Sequence, residues 1–128
     1  MTEQDRRNLH NVRLMYAGDE AERANIARNI VWHVPGHNPV SGDYHGYQEY
    51  TELMPSRMAP LDRWDFTLHE VMVNRSYVMA TFHLEGERKG VSISIDGGHL
   101  MRLDAEGKIV EGWGFTGDQD VLDHFFSV

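Results

Sequence analysis

The stretch Asn29-Ile30-Val31-Trp32-His33-Val34-Pro35-Gly36-His37-Asn38-Pro39-Val40-Ser41-Gly42-Asp43-Tyr44-His45-Gly46 decides how the chain is read. It opens as an apolar strand carried by Ile30, Val31, Trp32 and Val34. Pro35-Gly36 and Pro39 break it, because proline lacks the N–H a strand ladder needs and glycine accepts turn geometry. Gly42, Asp43 and Gly46 read as the closing turn. Three of the eight histidines (His33, His37 and His45) lie here, with Trp32 and Tyr44. A strand end that carries imidazoles and aromatics into a turn predicts the mouth of a pocket.

On the N-terminal side, Glu3 to Ala17 reads as a helix. Leu9, Val12, Met15 and Tyr16 share a side at spacings of three and four. Gly18 ends it, and Asp19 is an N-cap for a second helix from Glu20 to Arg28, with Glu22 at the capping-box position. On the C-terminal side, Tyr47 to Met58 reads as a third helix that Pro55 kinks or ends near Met54. Strands are predicted at Trp64–Val73, Tyr77–Leu84, Lys89–Leu103 and Lys108–Thr116. Glu85-Gly86-Glu87 is read as a turn, and Asp96-Gly97-Gly98 as a bulge or bend. A terminal helix, Gln119 to Phe126, follows Asp118. Helices first and hairpin-linked strands later predict an α+β fold, with helices on one face of a mostly antiparallel sheet.

Composition narrows the function. At 128 residues the expectation is one domain spanning 1–128. The net charge of −8, with no lysine- or arginine-rich block, argues against nucleic acid or an anionic membrane as partner. No apolar run is long enough to cross a bilayer, and the polar N-terminus does not read as a secretory signal. The absence of cysteine removes disulfides, thiolate catalysis and Cys-ligated zinc, and fits a cytoplasmic protein.

Four segments, Ala17–Asp19, Ile30–Gly36, Gly42–Gly46 and Asp104–Trp113, resemble the SnoaL-like branch of the nuclear transport factor 2-like superfamily. The resemblance runs over nearly the whole chain. It implies a cystatin-like cone: a curved sheet wrapped round the N-terminal helix, with three to four helices, an apolar pocket and often a homodimer. It also implies a small apolar or aromatic molecule as partner and no cofactor. Placed against ketosteroid isomerase, His33 takes the position of the proton-shuttling carboxylate, His99 that of the oxyanion-donating carboxylate, and Asn11 that of the oxyanion tyrosine. Gly114 stands where SnoaL polyketide cyclases carry an acid/base Asp, and His99 matches a histidine of those cyclases. The Asp–Arg–Asp set of limonene epoxide hydrolase has no counterpart.

The candidate catalytic residues are therefore His33 and His99. Imidazole titrates near neutral pH and transfers protons without a large shift. The competing reading makes each a structural histidine bonded to its surroundings. Period-two alternation places Met101 on the face of His99. Met15 and Tyr16 on the first helix, with Trp32 and Tyr44, complete one set of candidate ligand contacts. If Gly112 and Gly114 face the pocket they leave room for a bulky ligand, and Trp113 and Phe115 face outward into a dimer contact; the opposite orientation puts the aromatics inside. His69 and His83 lie on neighbouring strands, but without tight metal-ligand spacing, so no metal is expected. Three functions remain: cofactor-independent proton transfer on an apolar oxygenated substrate, non-catalytic ligand binding or dimeric scaffolding, and, as a lesser alternative, epoxide hydrolysis.

Overall fold

Thr2 starts the first helix by a reciprocal cap. Its hydroxyl accepts from the Asp5 N–H at 3.0 Å, and the Asp5 carboxylate accepts from the Thr2 N–H at 3.1 Å. Helix α1 (Glu3–Tyr16) buries Val12 completely against the sheet. This computed structural model describes residues 1–17 and 20–128. The predicted stop at Gly18 and cap at Asp19 lie outside the described residues.

The second helix is corrected: Glu20–Asn25 is a short 3₁₀ segment. Strand β1 (Ile26–Val34) begins where a helix was expected to continue, because Ile26 and Ala27 are both buried in the sheet. Strand β2 (Gly42–His45), read from the sequence as a turn, pairs antiparallel with β1. The third helix is continuous through Pro55 but changes its winding. A π-helical turn, Glu49–Leu53, runs into α2 (Met54–Met58), where Pro55 occupies a first-turn position that needs no N–H donor. A cis Ala59–Pro60 peptide closes the segment.

The remaining strands are β3 (Arg63–Asn74), β4 (Tyr77–Arg88), β5 (Val91–Leu103) and β6 (Ile109–Thr116), and α3 (Gln119–Ser127) ends the chain. Glu85-Gly86-Glu87 is not a turn. Strand β4 runs on to Arg88, and Lys89-Gly90, both at positive φ, make the reversal. The β4–β5 register is unbroken through Asp96, Gly97 and Gly98, so no bulge interrupts that pair.

The sheet order is β2-β1-β6-β5-β4-β3. All neighbours are antiparallel except β1 and β6, which run parallel. The described residues form the α+β arrangement expected: three α-helices on a curved, mixed six-stranded sheet. Alternation assigns the faces. Ile30, Trp32 and Val34 point inward, as do Phe82, Leu84, Ile95, His99 and Met101 on their strands.

Candidate functional site

A cavity of about 580 Å³ lies between the inner face of the sheet, α1, the π-turn and α3. That is within the ordinary size range for small-molecule sites. Its wall is dominated by aromatics, including Trp32, Tyr50, Trp64, Phe66, Phe82 and Phe126. Among the described residues that line it there is no lysine or arginine.

Two polar side chains meet in this apolar setting. The Tyr16 hydroxyl and His99 Nδ1 are 2.5 Å apart. The two ring planes are nearly parallel, at 16°, with centroids 5.8 Å apart. Trp32 meets the imidazole edge-on at a centroid distance of 5.0 Å, and Phe82 lies 4.8 Å away. Burial pulls the His99 pKa down to about 3 and raises that of Tyr16, with the neighbouring Tyr50 adding to the rise. Both groups are thus neutral around pH 7. With the phenol as donor to Nδ1, the proton of His99 sits on Nε2; the opposite tautomer would have Nδ1–H donate to the phenol oxygen. Nε2 has no hydrogen-bond partner among the described residues and is not sealed off from the cavity. The sequence singled out both residues but not their pairing.

His33 is placed differently. Trp32 points inward, so the His33 ring emerges on the outer face, stacked on Trp113 at 5.4 Å and 15°. His33 borders the cavity, but its ring nitrogens are both taken. Nδ1 meets Asp43 at 2.6 Å and Nε2 meets Glu111 at 2.7 Å, with Arg102 bonded to the other Glu111 oxygen at 3.3 Å. The two imidazoles therefore do not converge on one point.

Burial works against the charge on His33, but the bonds to Glu111 and Asp43 outweigh it and raise the pKa above the ordinary 6.5. The His33 bond, opposed by burial and assisted by Arg102, lowers that of Glu111 below its ordinary 4.5. The raised histidine contributes stability that is full below 6.5 and is lost as pH rises through its folded pKa. The lowered Glu111 contributes stability that is present above 4.5 and is lost as pH falls through its folded pKa. The clip is thus strongest between these two limits. Denaturant titrations of wild type and His33→Phe should differ most near pH ~5–6 and converge in alkali. A difference that grows with pH would contradict this account.

Of the other candidates, Met15, Trp32 and Gly114 line the cavity. Asn11 does not; its side chain donates to the Gly107 carbonyl at 2.8 Å and holds the β5–β6 turn. Tyr44 is fully buried elsewhere, donating to the Val40 carbonyl at 2.6 Å. Met101 is completely enclosed core. Gly112 faces inward beneath Trp32, where an added Cβ would sit 2.1 Å from the indole, so it positions that ring without lining the space. Trp113 lies on the outer face, the first of the two orientations the sequence left open. Among the described residues no cluster of metal-binding side chains forms. His83 instead bonds Asp96 and Ser94.

The turn after β1 is tied to α3, whose Leu122 and Phe126 close one side of the cavity. Asp123 accepts from the His37 N–H at 3.0 Å, Asn38 Nδ2 at 2.7 Å and Gln119 Nε2 at 3.0 Å. Burial works against the charge on Asp123, but these donors outweigh it and lower its pKa. Gly36 sits here at φ +93°, where a Cβ would collide with Gln119 and Asp123.

The fold has close relatives among solved structures. A protein of unknown function with a cystatin-like fold from Xanthomonas campestris is 25% identical, with a TM-score of 0.83 over 94% of this chain and 98% of that one. TerC, co-crystallised with polyporic acid, is 16% identical, with a TM-score of 0.81 over 94% and 98%. A SnoaL-like polyketide cyclase homologue from Jannaschia sp. is 12% identical, with a TM-score of 0.80 over 100% and 97%. No curated protein matches the chain in sequence. The SnoaL-like domain family matches residues 13–112, from within α1 to Gly112 beneath Trp32, and the chain belongs to that family.

Proposed function

We propose that the chain takes a neutral, apolar, carbonyl-bearing small molecule into the aromatic cavity and polarises its carbonyl through His99 Nε2–H. The observation that carries this reading is the neutral Tyr16–His99 pair in a wall made mostly of apolar and aromatic side chains. A fixed N–H in a water-poor site stabilises negative charge developing on a carbonyl oxygen. Proton transfer next to that carbonyl is the supported reaction class: isomerisation, cyclisation, or elimination and hydration. Such a step needs no cofactor. A ligand carboxylate would be buried without a countercharge, which favours uncharged ligands. The likeness to TerC, co-crystallised with polyporic acid, supports a ligand-admitting cavity.

His33 is not assigned the base's role, because both of its ring nitrogens are already engaged by carboxylates, Asp43 and Glu111. Among the described lining residues no buried side chain is free to take a proton, and this favours a second reading, non-catalytic binding. Asp65 is the one carboxylate among those residues and is 63% exposed, so an acidic set of the epoxide-hydrolase kind is not assembled.

The test uses an enolisable aryl ketone and its carboxylate counterpart in D₂O, followed by NMR. The ketone should bind at least ~10-fold more tightly, about 1.4 kcal/mol, and exchange its α-hydrogens faster with protein present. Binding without exchange selects the second reading; preference for the carboxylate overturns both.

We propose that the homodimer the family resemblance implies forms through one patch of the outer sheet face. Met72, Met79, Leu100 and Trp113 are successive cross-strand partners, forming an apolar stripe over β3, β4, β5 and β6. Met72 is 51% exposed. A second copy burying this stripe is the expected assembly. Leu100→Glu should give a monomer in sedimentation where wild type gives a dimer; a monomeric wild type contradicts the assignment.

A further inference from the structure

The outer sheet face has a second, polar half beyond the apolar stripe, and it holds a three-residue relay. His83 on β4 is the cross-strand partner of Asp96 on β5. Its Nδ1 lies 2.9 Å from the Asp96 carboxylate, and its Nε2 lies 3.0 Å from the Ser94 hydroxyl. Glu85, 3.8 Å from Nε2, is the next charge on this face. Ser94 and Asp96 are two residues apart on one strand, so the pleat puts both on the same side. The connectivity is that of a nucleophile, a base and an orienting carboxylate. Asp96 accepting from Nδ1–H leaves Nε2 as the acceptor for the serine proton.

We propose that Ser94 is an acyl-acceptor site for activated esters, separate from the cavity. The Ser94 oxygen forms a bond to the acyl carbon, and the ester C–O bond breaks. The serine proton passes to His83 Nε2 and then to the departing aryloxide, leaving Ser94 esterified and His83 neutral. Asp96 is a positioning residue that holds the tautomer. The site lies where β6 has run out, since the last β5–β6 pair is Gly97 with Thr116, so an acyl donor reaches it from solvent.

The test is incubation of the intact protein with p-nitrophenyl acetate, followed by peptide mass mapping. Ser92, exposed on the same strand and face, is the internal control. Ser94 should acylate at least ~10²-fold faster than Ser92, the lower end for a positioned general base. His83→Ala should bring Ser94 down to the Ser92 rate. Asp96→Asn should slow Ser94 and displace the pH profile of its acylation without affecting Ser92. All three side chains are partly or fully exposed, and unchanged circular dichroism checks that each variant folds. Equal labelling of the two serines, or full labelling of Ser94 in His83→Ala, overturns the proposal. So does an acetyl group found only on His83.

Discussion

His99→Phe should lose ~10²–10³-fold in turnover of an enolisable ketone, the usual cost of deleting one oxyanion donor. The replacement keeps a flat ring between Trp32 and Phe82 and removes the Nε2–H. If the chain only binds, the loss is that of one hydrogen bond, about 1 kcal/mol or ~5-fold in affinity. The two magnitudes separate catalysis from binding in one variant. Tyr16→Phe acts through the same pair. It removes the donor to Nδ1 and frees His99 to place its proton on either nitrogen. Its effect should be smaller than that of His99→Phe but in the same direction. An unaltered rate and affinity in His99→Phe would remove this pair from the site's chemistry.

Arg88→Met should be the most destabilising single change outside the aromatic core. Arg88 is 5% exposed. Its guanidinium donates to the carbonyls of Met58 at 3.1 Å, Ala59 at 3.3 Å, Phe125 at 3.4 Å and, most closely, Val128. These carbonyls come from the ends of α2 and α3, where helices leave acceptors unsatisfied and favour a cation. Strand β4 thus locks both segments to the sheet through one side chain. Methionine keeps the stem's packing but leaves the carbonyls unpaired, at ~1–3 kcal/mol for each one that water does not reach. A total of about 3 kcal/mol or more is expected. It would be read as a lower urea midpoint at unchanged slope. A loss below ~0.5 kcal/mol, as for an ordinary surface change, would contradict this role.

The architecture was legible because its main signals are periodic. Alternation put His99 and Met101 on one face of their strand, and β5 turns that face inward. The same rule held an unused signal in the opening stretch. Ile30, Trp32 and Val34 alternate as large apolar residues, which puts His33 on the opposite face. The homologous position drew attention to His33, but the pleat decides where its ring goes. Strand β2 escaped notice because Gly-Asp-Tyr-His is short and lacks β-branched residues; its pairing comes from β1, not from propensity. Glu85-Gly86-Glu87 looked like a turn, yet Gly86 and Arg88 continue the inward alternation of β4. The Tyr16–His99 bond joins residues 83 apart and depends on sheet curvature that no local pattern encodes.

The proposed function rests on a neutral His99 that offers Nε2–H into the cavity. The most direct measurement is a ¹⁵N NMR titration of the imidazole in the intact protein. A neutral ring is expected from pH 8 down to about 4, consistent with the pKa of about 3, with the proton on Nε2 and Nδ1 as acceptor. The Tyr16→Phe variant should disturb the Nδ1 signal first. A ring that titrates near its ordinary 6.5, or one that carries its proton on Nδ1 throughout, would contradict the proposed function.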